Sequence, residues 1–262
     1  MLYSNPMREN YTLTRLYIEA SLKQDALIAL TKEQAHYLGT VLRRKAGEDL
    51  RVFNAESGEW LAQVADISRK SGTLKIVEPL RAPQKAPDIW LCFAPVRKHR
   101  TAFIIEKGTE LGVSEFHPII TQRTQFPRLN VDKARLQAIE AAEQTERLDL
   151  PFIHAAHRGG VNDYLAGWNM NRPLIFADEA GDAKPALEAL KTLPSGAARG
   201  PALGPAAILI GPEGGFTDQE REILRAKDFV MPVSLGPRIL RADTAALALL
   251  TLWQGVYGDW CS

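Results

Sequence analysis

Along the first third of the chain, apolar positions come in short runs broken by polar turns. "LRVFNA" and "EWLAQVADI" are separated by "ESG", and "TLKIVEPL" follows "SRKSG" in the same manner. Short alternating runs joined by glycine-containing turns predict strands and hairpins, so the region from about Arg15 to Val77 reads as a small β-barrel or sandwich. Within it "TKEQAHYLGTVLRR" has a helical texture, with Thr31 placed to cap its N-terminus. Next, "EPLRAPQKAP", residues 78–87, holds three prolines in ten positions and predicts a stiff linker.

Beyond the linker, strand-like and helix-like segments alternate. "DIWLCFAPV", "EFHPIIT", "PLIFADE" and "AAILIGPEGG" are apolar strand candidates. "RTAFIIEKGTELGV" and "NVDKARLQAIEAAEQTERL" read as helices, and Gly112 suits the left-handed position after the first of them. This alternation predicts an α/β domain around a mostly parallel sheet. The Ala/Gly/Pro-rich stretch 193–206 reads as a flexible surface loop, and "MLYSNPMRENYTLTR" as a short, loose extension. The pattern thus places one domain at 1–82 and a second at 83–262.

Composition changes this picture little. The chain of 262 residues is 45% hydrophobic and 24% charged, as in an ordinary globular protein. A formal charge of +1 neither demands nor excludes a nucleic acid. Cys92 and Cys261 lie far apart, which argues against a disulfide framework or zinc site and fits a reducing cytoplasm. His99, His117, His154 and His157 also lack metal-ligand spacing, so no metal is expected. No apolar run approaches the roughly 18 residues of a membrane span, and the N-terminus lacks the apolar core of a signal peptide. A cytoplasmic protein without a membrane partner is the expectation.

The candidate chemistry lies in two turns. "LIGPEGGF", residues 209–216, joins an apolar run to a helical pattern that opens with a capping box, Thr217 and Glu220. A phosphate loop would need lysine and a hydroxyl residue after its last glycine, where Phe216 and Thr217 stand. A dinucleotide fingerprint would need G-x-G-x-x-G in place of G-x-x-G-G. Glu213 would repel an anion and suits a hydroxyl group or a cation. These residues alone leave open a tight turn whose glycines only supply positive φ. The second turn lies in "VSLGPRILRADTAALALLTLWQ", residues 233–254, with Arg238, Arg241 and Asp243 at the entrance of a helix apolar nearly all round. Such a helix should be buried, and two arginines at its start point to a ligand or partner. A cap salt bridge between an arginine and Asp243 is the plainer alternative.

In this order, the two turns resemble the C-terminal signature of the SPOUT methyltransferases. The match is closest to the RsmE family, which methylates N3 of a uridine in 16S ribosomal RNA. "EKGTELGVSEFHPI" and "EAAEQTERLDLP" add to the resemblance, and "HYLGTVLRRKAGEDLRVFN" is similar to the family's PUA-like RNA-binding barrel. The resemblance implies an α/β fold: a SPOUT-type parallel sheet with a C-terminal trefoil knot, preceded by a small PUA-like β-barrel. Knots are rare, and the strand pattern alone predicts an ordinary open sheet.

The implied cofactor is S-adenosylmethionine. Carried over by position, Leu209, Gly211, Pro212 and Glu213 line one side of its pocket, with Glu213 accepting bonds from ribose hydroxyls. Leu235, Gly236, Ile239, Leu240 and Thr244 line the other, and a third loop enters near Phe176 and Ala177. Ala242 and Asp243 stand where the family commonly has threonine and glutamate, which keeps the carboxylate but shortens it.

Arg238 and Arg241 are the candidates for stabilising a uridine imide anion or orienting RNA. No histidine or carboxylate stands out as a general base. Arg15, Arg43 and Arg44, with His36 and Lys45, form a basic cluster suited to phosphates, and Arg123 offers a second contact. Glu140, Glu143, Gln144 and Arg147 fall at helical spacing; a solvated stripe is the plain reading, while the resemblance brings Gln144 and Arg147 to the target nucleotide or a partner subunit. The implied partners are small-subunit ribosomal RNA, free or in the assembled small subunit, and a second copy in a homodimer. Two other functions compete. A nucleotide-dependent α/β enzyme is disfavoured by the missing lysine and the glycine spacing, and a non-catalytic RNA-binding module by the full pair of turns.

Overall fold

In the computed structural model, which describes residues 10–180, 182–193 and 204–261, the expected hairpins are formed. Strands β1 (Arg15–Tyr17), β2 (Leu27–Ala29), β3 (Asp49–Asn54), β4 (Gly58–Ile67) and β5 (Gly72–Arg81) make a sheet in the order β1-β3-β4-β5-β2. Only the β1–β3 pair is parallel. The β3–β4 turn closes because Asn54 Oδ1 accepts from the backbone of Glu56 and Ser57, at 3.1 and 2.7 Å. Alternate residues point inward: Leu50 and Val52, Ala62 and Val64, Leu74 and Ile76 are all buried in one core.

Helix α1 (Lys32–His36) has the predicted cap at Thr31, whose hydroxyl accepts from Gln34 N while Gln34 Oε1 accepts from Thr31 N. It is shorter than its apolar pattern implies. Residues 37–41 continue as a π-helical turn, and Arg43 then adopts φ +55°. The proline-rich segment also differs from expectation. Glu78, Pro79 and Arg81 still pair with β4, with Pro79 opposite Trp60 beside a register shift, where a strand tolerates a missing N–H.

The chain divides into two units. One holds residues up to Lys85 together with Glu146–Asp149; the other holds Ala86–Thr145 and Leu150–Ser262. The short late segment belongs to the first unit through a buried ion cluster. Arg15 Nε meets Glu59 Oε1 at 2.7 Å, Arg51 grips both Glu146 oxygens at 2.7 Å, and Arg81 Nη1 adds a bond to Glu146 at 3.0 Å. Nothing in the apolar pattern announces this.

The second unit is a seven-stranded parallel sheet. Its strands are β6 (Ile89–Phe93), β7 (Glu115–Pro118), β8 (Phe152–Ile153), β9 (Leu174–Ala177), β10 (Lys184–Pro185), β11 (Ala206–Ile210) and β12 (Val230–Ser234). They lie in the order β10-β12-β9-β11-β6-β7-β8. Helices α2 (Lys98–Glu110), α3 (Val131–Gln144), α4 (Gly160–Ala166), α5 (Ala186–Leu190), α6 (Asp218–Arg225) and α7 (Ala242–Val256) connect and cover them. Both faces are buried. Ile208 and Ile210 join one core with α7, while Ala207 and Leu209 join another with Phe176 and Phe216, which is why β11 reads as an unbroken apolar run.

The chain first builds β6, β7 and β8 in one direction and then returns to build the other limb. Ligand sites in such sheets form beyond the carboxyl ends of the strands where the order reverses. Gly112 follows α2 at φ +80°, as expected. Helix α3, by contrast, stops at Gln144, and Glu146 takes φ +61°, so Arg147 does not continue the helical stripe. Residues 1–9 of the expected N-terminal extension and 194–203 of the expected surface loop lie outside the described residues.

Candidate active site

The first glycine turn leaves β11 and enters α6. Gly215 N donates to Pro212 O at 2.9 Å, closing a tight turn with Gly215 at φ +66°. Gly211 is forced by packing, because a Cβ there would lie 2.7 Å from the Phe216 ring. Phe216 itself is buried edge-on against Phe176, with ring centroids 5.1 Å apart. The capping box is present: Glu220 accepts from Thr217 N at 2.9 Å, and its second oxygen accepts from Gln122 N at 2.9 Å. One carboxylate thus holds both the helix start and the loop after β7.

That loop carries Arg123. Its guanidinium donates to Gly214 O at 2.9 Å and to Phe216 O at 3.2 Å, so it braces the glycine turn while remaining exposed. The turn is also approached from the β9 side. A Cβ on Gly215 would meet the Glu179 carboxylate, the far end of an exposed side chain, which would have to swing aside. Burial raises the Glu179 carboxyl above its ordinary pKa, and the neighbouring Asp178 adds to the rise; a bond from the Phe216 backbone only partly offsets both. Asp178 is buried and tied to α6 through Arg225 and Arg221.

Beyond β9 and β12 lies a cavity of about 180 Å³, bordered by Ala177, Glu179, Leu235, Gly236, Ile239 and Leu240. Its lining is mostly apolar side chain and glycine backbone, with the carboxylates of Asp178 and Glu179, the Ser234 hydroxyl and the Arg238 guanidinium as its polar groups. Gly236 has φ +101° and open space where a Cβ would point. Such a set fits a nucleoside, whose base needs apolar faces and whose hydroxyls need an acceptor. Ile239 is 93% exposed and forms the outer lip.

The structure brings together the expected Leu235, Gly236, Ile239 and Leu240, with Ala177 from the third loop. Gly211, Pro212 and Glu213 stay in the neighbouring turn, joined to the cavity through Glu179. Leu209 is enclosed with Phe176 and Phe216 in the sheet core, because it points to a covered face of β11. Thr244 is exposed on the first turn of α7. Glu179, just past the apolar run of "PLIFADE", lines the cavity with a carboxylate that the apolar pattern does not announce.

At the entrance of α7, a cap salt bridge to Asp243, the plainer alternative in the sequence, is made by an arginine other than Arg238 or Arg241. Asp243 Oδ2 accepts from Arg100 Nη1 of α2 at 2.9 Å, and Asp243 Oδ1 accepts from Thr244 N at 2.9 Å. Arg238 and Arg241 are both exposed, and neither joins an ion pair among the described residues.

The basic residues expected to meet RNA separate by burial. Arg15 is 5% exposed and bound to Glu59, so its charge is satisfied inside the first unit and is not offered to a phosphate. Arg44 is half-buried, donating to Thr14 Oγ1 at 2.7 Å and to Glu48 at 3.4 Å. Arg43 is exposed. Gln144 is exposed at the end of α3, while Arg147 Nε donates to Asp149 at 2.7 Å within the first unit.

Comparison with known proteins agrees with this architecture. Residues 83–254 match the RNA methyltransferase domain family, and residues 30–77 match the RNA methyltransferase PUA domain family. A ribosomal RNA small subunit methyltransferase E from Rickettsia conorii is 33% identical, covering 90% of this chain and 93% of the relative. Its namesake from Synechocystis is 35% identical over 90% of this chain and 75% of its own length. Among solved structures, a Legionella pneumophila protein with bound cofactor SAM is 27% identical, with a TM-score of 0.82 over 94% of this chain and 99% of that one. With a PUA domain ahead of a SPOUT-type parallel sheet, and relatives this similar over nearly its whole length, the chain belongs to the ribosomal RNA small subunit methyltransferase E family of RNA methyltransferases.

Proposed function

We propose that the protein methylates N3 of a uridine in small-subunit (16S) ribosomal RNA, using S-adenosylmethionine. The observation that carries the reading is the cavity at the strand ends, with Arg238 on its border, Arg241 close by in sequence and, among the described residues, no ion pair neutralising either arginine. Family membership and the SAM-bound Legionella structure support the cofactor.

Leu235, Gly236, Ile239 and Leu240 hold the nucleoside part of the cofactor, with Glu179 accepting from hydroxyls; Gly211, Pro212 and Glu213 border it from the braced turn, Leu209 supports that turn from the core, and Thr244 approaches from α7. When bound, S-adenosylmethionine supplies an electrophilic methyl group, so alignment provides much of the acceleration. Arg238 and Arg241 stabilise the negative charge that develops as uridine N3 loses its proton. Arg43, Arg44, Arg123, Gln144 and Arg147 are the proposed RNA contacts, with the N-terminal unit as the RNA-binding domain.

The chain acts as a cytoplasmic homodimer with a C-terminal trefoil knot. The resemblance supports all three, and the partly exposed apolar residue Leu247 on α7 is in keeping with a dimer face there. Light scattering on the purified protein would sink the dimer if only monomer mass appeared. The function is tested by transfer of labelled methyl from S-adenosylmethionine to small ribosomal subunits from cells lacking this protein. Labelled 3-methyluridine at one site is the expected product. Label on a different nucleoside would overturn the target, and absence of both transfer and cofactor binding would overturn the reading as a whole.

A further inference from the structure

Among the described residues, a group of ligating side chains away from the two turns lies on the other limb of the sheet. Glu115 and His117 are two apart on β7 and so share a face. The ladder pairs Glu115 with Phe152 and Phe116 with Ile153, which sets His154 beside His117 on that face. The two imidazoles stack with centroids 4.0 Å apart. Glu115 Oε2 lies 2.6 Å from His154 Nε2 and 3.2 Å from His117 Nε2. The three ligand atoms all fall within 4.8 Å of one another. Trp90 stacks on the far face of His117 at 4.4 Å, and Phe152 packs against His154 at 4.5 Å, so both rings are held in place. An open cavity of about 430 Å³ adjoins them.

We propose that Glu115, His117 and His154 form a binding site for a divalent transition-metal ion, with zinc as the natural occupant. Two imidazole nitrogens and one carboxylate oxygen are a borderline donor set, which suits zinc rather than magnesium or calcium. Both nitrogens already converge on one point, the Glu115 oxygen, so an ion is accommodated by a small swing of that carboxylate. The adjoining cavity leaves a fourth position open to water. The spacing of these residues does not announce a site, since His154 reaches the others only through strand pairing. The ion has a structural task available: β8 is an edge strand of two residues, and a ligand from β7 and one from just beyond β8 would staple it to the sheet. The site stands on strands other than those carrying the two turns and is independent of the proposed reaction.

The test uses the untagged full chain, stripped with chelator and titrated with Co²⁺ under visible absorption, then competed with Zn²⁺. One equivalent is expected to bind, with the spectrum of a low-coordinate nitrogen and oxygen site displaced by zinc. Zn²⁺ is expected to raise the Tm of the native protein. Glu115→Gln and His154→Gln should each weaken uptake by at least about tenfold and remove the Tm increment, the cost seen even for losing a group that only supports a metal ligand. His154 is partly exposed, so His154→Gln decides the matter alone if Glu115→Gln fails to fold. Absence of saturable uptake of either ion, or uptake of equal affinity in His154→Gln, would overturn the proposal.

Discussion

Gly215 shows how much one residue decides at the first turn. Its φ of +66° is strained for any L side chain, and the Glu179 carboxylate occupies the place of a Cβ. Gly236 shares the positive φ but has open space around it. Gly215→Ala and Gly236→Ala should therefore each cost roughly 1–2 kcal/mol of backbone strain, because the Glu179 carboxylate is the free end of an exposed side chain and can swing away from an added Cβ. Urea unfolding of the two variants measures this; a much larger loss in Gly215→Ala would show Glu179 to be fixed against the turn. Arg241 makes the opposite case. It is exposed and joins no ion pair among the described residues, so Arg241→Ala should change stability by no more than about 0.5 kcal/mol. Methyl transfer should nonetheless fall on the order of 100-fold, the usual loss when a donor to developing charge is removed. Some of this was legible in the chain. Thr217 and Glu220 announce their cap, and Gly112 its helix end, because both motifs are local. Arg123 was legible only as a cation, because the carbonyls it braces lie 91 and 93 residues away.

At the scale of elements, the buried ions of the first unit decide how Glu146–Asp149 is held. Glu59 is 1% exposed and faces Arg15 and Arg51, which are themselves buried. Glu59→Gln would leave those cations without their full counter-charge, and a loss of about 3 kcal/mol is expected from chemical denaturation. Glu146 adds a pH dependence. Burial alone would raise its carboxyl, but the Arg51 bonds and the charges of Arg15, Arg51 and Arg81 outweigh it and hold the pKa below 4.5. The unfolded chain therefore takes up this proton at a higher pH than the folded one. The stabilisation is fully present above about pH 4.5 and is lost as pH falls through the depressed folded value. Urea midpoints followed downward from neutral pH should show that loss in the native protein, and a flatter profile in Glu146→Gln. Identical profiles would remove Glu146 as the group responsible. Strands were readable here from period-two alternation, and the Arg15 cluster was not, since a sequence displays charge without burial.

For the whole molecule, the cavity predicts linkage between cofactor and folding. A ligand that binds only the folded state stabilises it by about 2.7 kcal/mol at a concentration 100 times its Kd. S-adenosylmethionine should raise the Tm accordingly. Gly236→Arg, which fills the open space with a side chain, should abolish that increment while leaving the strands intact. An undiminished increment in this variant would move the cofactor elsewhere. Local chemistry by itself determined the hairpins, the helix caps and the two glycine turns, and the order of those turns carries the resemblance to the family. Those features depend on neighbours in sequence, where backbone geometry and hydrophobic period act directly. Tertiary structure alone decided that Arg15 is buried and Arg241 exposed, that Asp243 pairs with Arg100, that Leu209 belongs to the core, and that His154 stands beside His117. Each of these depends on which distant strand or helix arrives alongside, and burial and pairing are properties of the packed chain.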